Sequence, residues 1–213
     1  TARRWPRRLL VVTEVALSVV LLVGAGLLLR TLARLTDLRP GFDQTNVVTA
    51  TLSLQDARYQ SGDSINALFD RSLERMRSVP GVERAAVCLT LPYERALNLP
   101  LRVAGRPADR QPETINLTYV TPEYFDALRI PLVRGRAFND FDGKTSTPVI
   151  VVNQALVRRA FSETEPLGRQ VVLFDGVPAQ IIGIVGDVQQ KASFGNYGPV
   201  GPIPAAYIPA AQM

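Results

Sequence analysis

The first forty positions and the remainder of the chain follow different hydrophobic rhythms. Leu9 to Leu29 reads LLVVTEVALSVVLLVGAGLLL, apolar on every side of a helix, with Glu14 as its one charge. At ~1.5 Å per residue those 21 positions cover about 31 Å, the thickness of a hydrocarbon core. A cleaved signal sequence carries a shorter apolar region followed by a small-residue cleavage site. Gly24-Ala25-Gly26 is small, but Leu27-Leu28-Leu29-Arg30 continues the helix, so the pattern predicts a retained transmembrane helix over 9–29. Leu28, Leu32, Leu35 and Leu38 then recur at helical spacing until Pro40-Gly41. That spacing predicts a helical stalk over 30–39.

Past Pro40 the period alternates between strand and helix. Val47 to Leu54 alternates strictly, with Val48, Ala50, Leu52 and Leu54 on one face, as a half-buried strand does. Asp63 or Ser64 caps a helix striped by Ile65, Leu68, Phe69, Leu73 and Met76, and Pro80-Gly81 ends it. Val82 to Leu89 is a second strand, completing a β-α-β unit. Residues 92–114 are rich in Pro, Arg and Gly, with a short strand near Leu99 to Val103. Ile115 to Val120 is strand-like, and Thr121-Pro122-Glu123, as N-cap, first-turn proline and first-turn acid, opens a short helix that reaches Leu128 and stops at Ile130-Pro131. A second β-α-β pattern runs from Val149–Val152 through a helix capped by Asn153 to a return strand at Gln170–Phe174. Ala179 to Val188 is the most apolar stretch outside the membrane and predicts a central strand; Ala206 to Ile208 predicts a last short one. The expected fold is α+β: one transmembrane helix, then a two-lobed domain over 40–213. One lobe takes about 40–91 and 148–213, and an inserted β-rich lobe takes about 92–147.

Charge sharpens this division. The net charge is +5, and residues 1–39 hold all of it: Arg3, Arg4, Arg7, Arg8, Arg30, Arg34 and Arg39 against Glu14 and Asp37. Residues 40–213 carry 17 basic and 17 acidic groups. The excess therefore flanks the apolar run rather than forming a basic face on the domain, which argues against nucleic acid as a partner. Four arginines before the run against three after it place residues 1–8 in the cytoplasm and 40–213 outside. Glu14, about one and a half turns inside the membrane, is a functional candidate by position. Its other settings are protonation, or contact with a neighbouring helix or the nearby arginines.

The chemistry of the domain is defined by what is missing. There is no histidine and one cysteine, Cys88, so Ser-His, Cys-His and internal disulfide arrangements are all excluded. Gly143-Lys144-Thr145 has the tail of a phosphate-binding loop, but the position five before Gly143 is Phe138, not glycine. Asp140 and Asp142 suggest a calcium loop whose first acidic place is again Phe138 and whose closing glutamate place is Val149. Glu163 and Glu165 fit a solvated turn before Pro166, and Gly183 and Gly186 fit tight packing in a strand. No catalytic, cofactor-binding or metal-binding residue is assigned, and the domain is not expected to be an enzyme. The chain opens on Thr1 rather than methionine and is read as a segment of a longer polypeptide.

Several segments in order carry a resemblance. They are Arg8-Leu9-Leu10-Val11-Val12 with Glu14-Val15-Ala16-Leu17, then Leu21 to Arg30, Pro40-Gly41-Phe42, and Val79-Pro80-Gly81-Val82-Glu83. Thr121-Pro122-Glu123-Tyr124-Phe125, Ile130 to Phe138, Val151 to Leu156, Glu165-Pro166-Leu167-Gly168-Arg169 and Ile182 to Val188 complete the set. Together they resemble the MacB/FtsX-type ABC transporter permeases, closest to the acidobacterial group of duplicated orphan permeases. The resemblance implies a periplasmic core domain with a porter-like lobe and an inserted lobe, in the bacterial inner membrane. It implies a lipid bilayer, further membrane helices of the same chain, a separate cytoplasmic ABC ATPase and a homo- or pseudo-dimer as partners. The implied activity is mechanotransmission, in efflux or envelope-protein handling, with no cofactor and no catalytic residue of its own. The rival class is a single-span periplasmic sensor or ligand-binding domain; a membrane-anchored envelope enzyme is disfavoured by the absent histidine. Further membrane helices would select the permease, and a cytoplasmic signalling module the sensor.

Overall fold

The structure, a computed structural model, describes residues 5–36, 40–105, 111–161, 164–173, 176–190 and 202–213. The chain divides between Arg39 and Pro40 into two compact units. The first is helix α1, Trp5–Thr36, 32 residues long. Its hydroxyls are accommodated by folding back on the helix: Thr13, Ser18 and Thr31 each donate to the carbonyl four residues earlier at 2.8 Å. Within Arg7–Ala33 an 18-residue window reaches a mean hydropathy of 2.3, and the helix is long and apolar enough to cross a membrane by length and composition. The stalk expected over 30–39 is helical as far as Thr36. Positions 37–39, including Leu38, lie outside the described residues.

The second unit is mixed α and β, and β-rich. Its elements are α2 (Gly62–Arg77), β1 (Leu97–Val103), β2 (Glu113–Val120), α3 (Tyr124–Ala127) and β3 (Leu132–Gly135), then β4 (Val149–Asn153), α4 (Gln154–Ala160), β5 (Gln170–Val172), β6 (Pro178–Val185) and β7 (Ala205–Pro209). The sheet order is β3-β6-β4-β7-β2-β1-β5, and β5 also pairs with β6. Six strands thus close into a ring, β6-β4-β7-β2-β1-β5. The edge of β6 away from β4 is shared end to end: β5 takes Pro178 to Gln180 and β3 takes Gly183 to Val185.

Closure explains why the middle strands are apolar without alternation. Every residue of β4 is buried, because each face meets its own core. Ile150 and Val152 join Leu101, Ile115, Leu117 and Ile181 on one face, together with Leu156 and Phe161 from the α4 segment. Val149 and Val151 join Val120, Val185 and Tyr207 on the other, under Tyr124 and Phe125 of α3 and Phe138. Each such side chain contributes about 1.5–3 kcal/mol through burial. Gly183 is required where β6 passes the chain after β3: a Cβ there would lie 2.2 Å from the Arg136 carbonyl oxygen.

The structure departs from the sequence pattern in several places. Val47–Leu54 forms no strand, and Val48 is 96% exposed. Alternation supplies the backbone preference, but a strand needs a partner, and among the described residues none pairs with it. Val82–Leu89 is extended and touches the sheet through one bridge, Cys88 to Val120, beside the Leu89 N–H donating to Tyr119 O. The first β-α-β unit is therefore a helix whose flanking segments are not strands of the sheet. That helix begins earlier than expected, on Ser61, whose hydroxyl accepts from the Ser64 N–H. Thr121 does not cap α3 with its side chain; its hydroxyl accepts from the Val87 N–H instead. Finally, the strand parallel to β4 is β6, while β5 is antiparallel to β6 and β1. The second β-α-β unit is thus β4-α4-β6, with β5 as the leading arm of a hairpin. Strands from 92–147 and from 148–213 interleave in one sheet, so no break in the sheet marks the boundaries drawn between the two expected lobes.

Candidate functional site

The residues with suggestive chemistry are occupied by structural work. Asp142 accepts both Arg136 guanidinium nitrogens at 2.7 and 2.8 Å and the Asn139 N–H at 3.0 Å. Arg136 holds its carboxyl below the usual range, and its oxygens are spent. Gly143 carbonyl accepts from the Ser146 N–H and hydroxyl, and Lys144 Nζ reaches Asp63 Oδ1 at 2.6 Å, so 143–146 is a braced turn. Glu165 pairs with Arg134 at 2.8 Å, and Glu163 lies outside the described residues. Cys88 is half-buried, and burial, with Glu94 nearby, pushes its thiol up to about 11, away from nucleophilic use. Burial likewise raises Tyr124 and Tyr207. Among the described residues no three His, Cys, Asp or Glu side chains converge on a metal-sized site. Glu14 belongs to α1, in the first unit.

What the domain builds instead is an anchor for its own first residues. Gly41 has φ +80°, and a Cβ there would sit 1.9 Å from the Asp187 carbonyl oxygen, so the chain lies directly on the segment that follows β6. The Gln189 N–H donates to Pro40 O at 2.9 Å, and the Tyr93 N–H donates to Gln189 O at 3.0 Å. Phe42 meets the Tyr93 ring edge-on, centroids 5.8 Å apart, and packs against the core under α3. The Asp43 N–H donates to Leu128 O at 2.9 Å, and its carboxylate pairs with Arg129. Arg129 adopts φ +51°, an uncommon backbone for its type, immediately past α3. The Thr45 N–H, the Thr45 hydroxyl and then Arg129 draw the Asp43 carboxyl down to about 2.

Four consecutive residues are thus tied to three separate elements: the end of α3, the segment after β6 and the turn at 91–94. The binding continues inward. Asp187 Oδ1 accepts the Ala155 N–H at 2.7 Å, and its other oxygen pairs with Arg158, so the same segment is fixed to α4. Sequence reasoning identified Pro40-Gly41 only as a helix breaker. Asp43-Gln44-Thr45 is a local Asx-turn signal that was there to be read. The partners Leu128, Arg129 and Gln189 carry no local mark, being 85 or more positions away.

A family model described as the MacB-like periplasmic core domain matches residues 10–213. The macrolide export ATP-binding/permease protein MacB of Neisseria gonorrhoeae is 32% identical over 83 residues, 39% of this chain and 12% of that protein. The chain thus matches about an eighth of the length of that relative. The periplasmic region of MacB from Actinobacillus actinomycetemcomitans aligns with a TM-score of 0.48 at 20% identity, covering 67% of this chain and 55% of that one. The extracellular domain of the noncanonic ABC-type transporter YknZ from Gram-positive bacteria aligns with a TM-score of 0.46 at 18% identity, covering 67% and 62%.

Proposed function

Since the chain belongs to the family of MacB-like periplasmic core domains, we propose that it is the coupling segment of an ABC transporter permease. In it, α1 crosses the inner membrane and the domain from Pro40 onward lies in the periplasm. A separate cytoplasmic ATPase supplies the movement, further membrane helices complete the permease, and the working unit is a homo- or pseudo-dimer. The domain performs no covalent chemistry; it is displaced. Efflux or the handling of an envelope protein is the outcome of that displacement.

The observation that carries this proposal is the anchor. A tether to a ligand-binding domain needs only to be long enough, and flexible residues serve it well. Here the domain grips Pro40 to Asp43 through backbone bonds, an aromatic contact and an ion pair. Displacement arriving at Pro40 is then passed to α3, β6 and α4 together rather than absorbed in a loop.

The test is made in the complete permease with its ATPase. Spin labels at Val12 and Phe141 report the helix-to-domain distance with and without a non-hydrolysable nucleotide; Phe141 is exposed and Val12 sits in the helix. The distance distribution is expected to shift with nucleotide. Gly-Gly inserted between Arg34 and Leu35 softens the helix and is expected to abolish the shift while ATP hydrolysis continues. An unchanged shift in the insertion variant would reduce α1 to a tether.

A further inference from the structure

We propose that α1 docks along one face against a second transmembrane helix that sets a cationic side chain, Arg or Lys, opposite Glu14. This rests on α1 being a membrane span. Glu14 stands five residues inside the apolar run that begins at Leu9, roughly 7.5 Å deep. Nothing on the helix serves its carboxylate. The neighbouring hydroxyls of Thr13 and Ser18 are committed to the carbonyls of Leu9 and Glu14, each at 2.8 Å. The positions three and four residues away hold Leu10, Val11, Leu17 and Ser18, so no cation shares its turn. Leu9, Leu10, Thr13 and Leu17 line a shallow, open groove together with Glu14. Carboxylates within a membrane span face the interior of a bundle or a water-filled cavity and pair with other ionisable groups or backbone carbonyls. The complement of this one is a cation from another helix.

A second feature selects the same face independently. Past Leu29 the sequence turns polar at Arg30, Thr31 and Arg34, with Leu32 and Leu35 as the large apolar residues of the remaining helix. Counting back from Leu32 in steps of four and three gives Leu28, Ala25, Leu21, Ser18 and Glu14. That is the 3.5-residue seam of two helices packed at a shallow left-handed crossing. Ser18 and Ala25, one heptad apart, are the small residues that let backbones approach within a membrane. Leu28 and Leu32 are exposed on the helix.

The test uses the full-length permease in lipid nanodiscs, in a cysteine-free background. Single nitroxide labels replace Leu21, Ala25 and Leu28 on the seam, and Ala16, Val23 and Leu27 on the opposite side. Oxygen collision rates are expected to be several-fold lower on the seam. Glu14→Lys, facing the partner's cation, is expected to lower the yield of folded permease several-fold, while Glu14→Gln keeps most of it. Equal oxygen rates on the two sides, or a Glu14→Lys protein that accumulates like the wild type, would overturn the proposal. A disulfide between two copies of Glu14→Cys would overturn it too, by putting a second α1 where the cation belongs. High nickel-chelate accessibility at all six positions would place α1 in water and remove the membrane reading as well, which the other outcomes leave standing.

Discussion

Gly41 and Asp43 show how little chemistry an anchor needs. At Gly41 a side chain meets a carbonyl oxygen at 1.9 Å, and φ is +80°. The left-handed backbone alone costs a substituted residue about 1–3 kcal/mol, and the oxygen cannot retreat without moving the segment after β6. Gly41→Ala is therefore expected to lower the melting temperature of the domain excised at Pro40 by several degrees, read by circular dichroism; an unchanged melt would mean that 40–43 is not held. Asp43 makes the second prediction, through pH. Its carboxyl falls from the usual 3.8 to about 2 on folding. A depressed carboxylate adds stability above its unfolded value, and that stability is lost as pH falls through the folded one. Wild-type domain should lose this increment between about pH 4 and pH 2, while Asp43→Asn should lack it throughout. Parallel acid-unfolding profiles for the two would show that the Arg129 pair and the Thr45 turn contribute nothing.

At the scale of elements, legibility followed local autonomy. Asn153 caps α4 as its position suggests, accepting from the Leu156 N–H at 3.0 Å, because a cap is made within four residues. The apolar run before it became β4 because burial on both faces leaves no other place for it. Val47–Leu54 carried the stronger strand pattern and formed none, since pairing is decided by distant chain. β3 was missed for the opposite reason: all four of its residues are exposed, and they follow Pro131, so neither alternation nor an apolar run marks it. β6, the most apolar stretch of the domain, proved central as its composition implied, but its antiparallel neighbours β3 and β5 could not be read from it. The anchor stayed hidden likewise, because each of its long bonds joins residues with nothing local in common.

For the whole molecule, sidedness is the property everything else depends on. The proposed orientation, with the domain outside, rests on four arginines before the apolar run against three after it. Alkaline phosphatase fused after Met213 is expected to be active and ordinary green fluorescent protein at the same place dark; the reverse pair of results would invert the molecule. Within the domain, the ring of strands is closed unevenly. β5 is three residues long and holds β6 by three residue pairs and β1 by two, whereas β4 and β6 share five. The pairs to β5 end at Gln180, and the anchor meets the chain at Asp187, two residues past the end of β6. β6 therefore leads from the short pairing with β5 at its start to the anchored segment just past its end. On the proposed coupling role, a load entering at the anchor would widen the ring at the β5 pairing, as a clothes-peg opens at its jaws while its hinge keeps its shape.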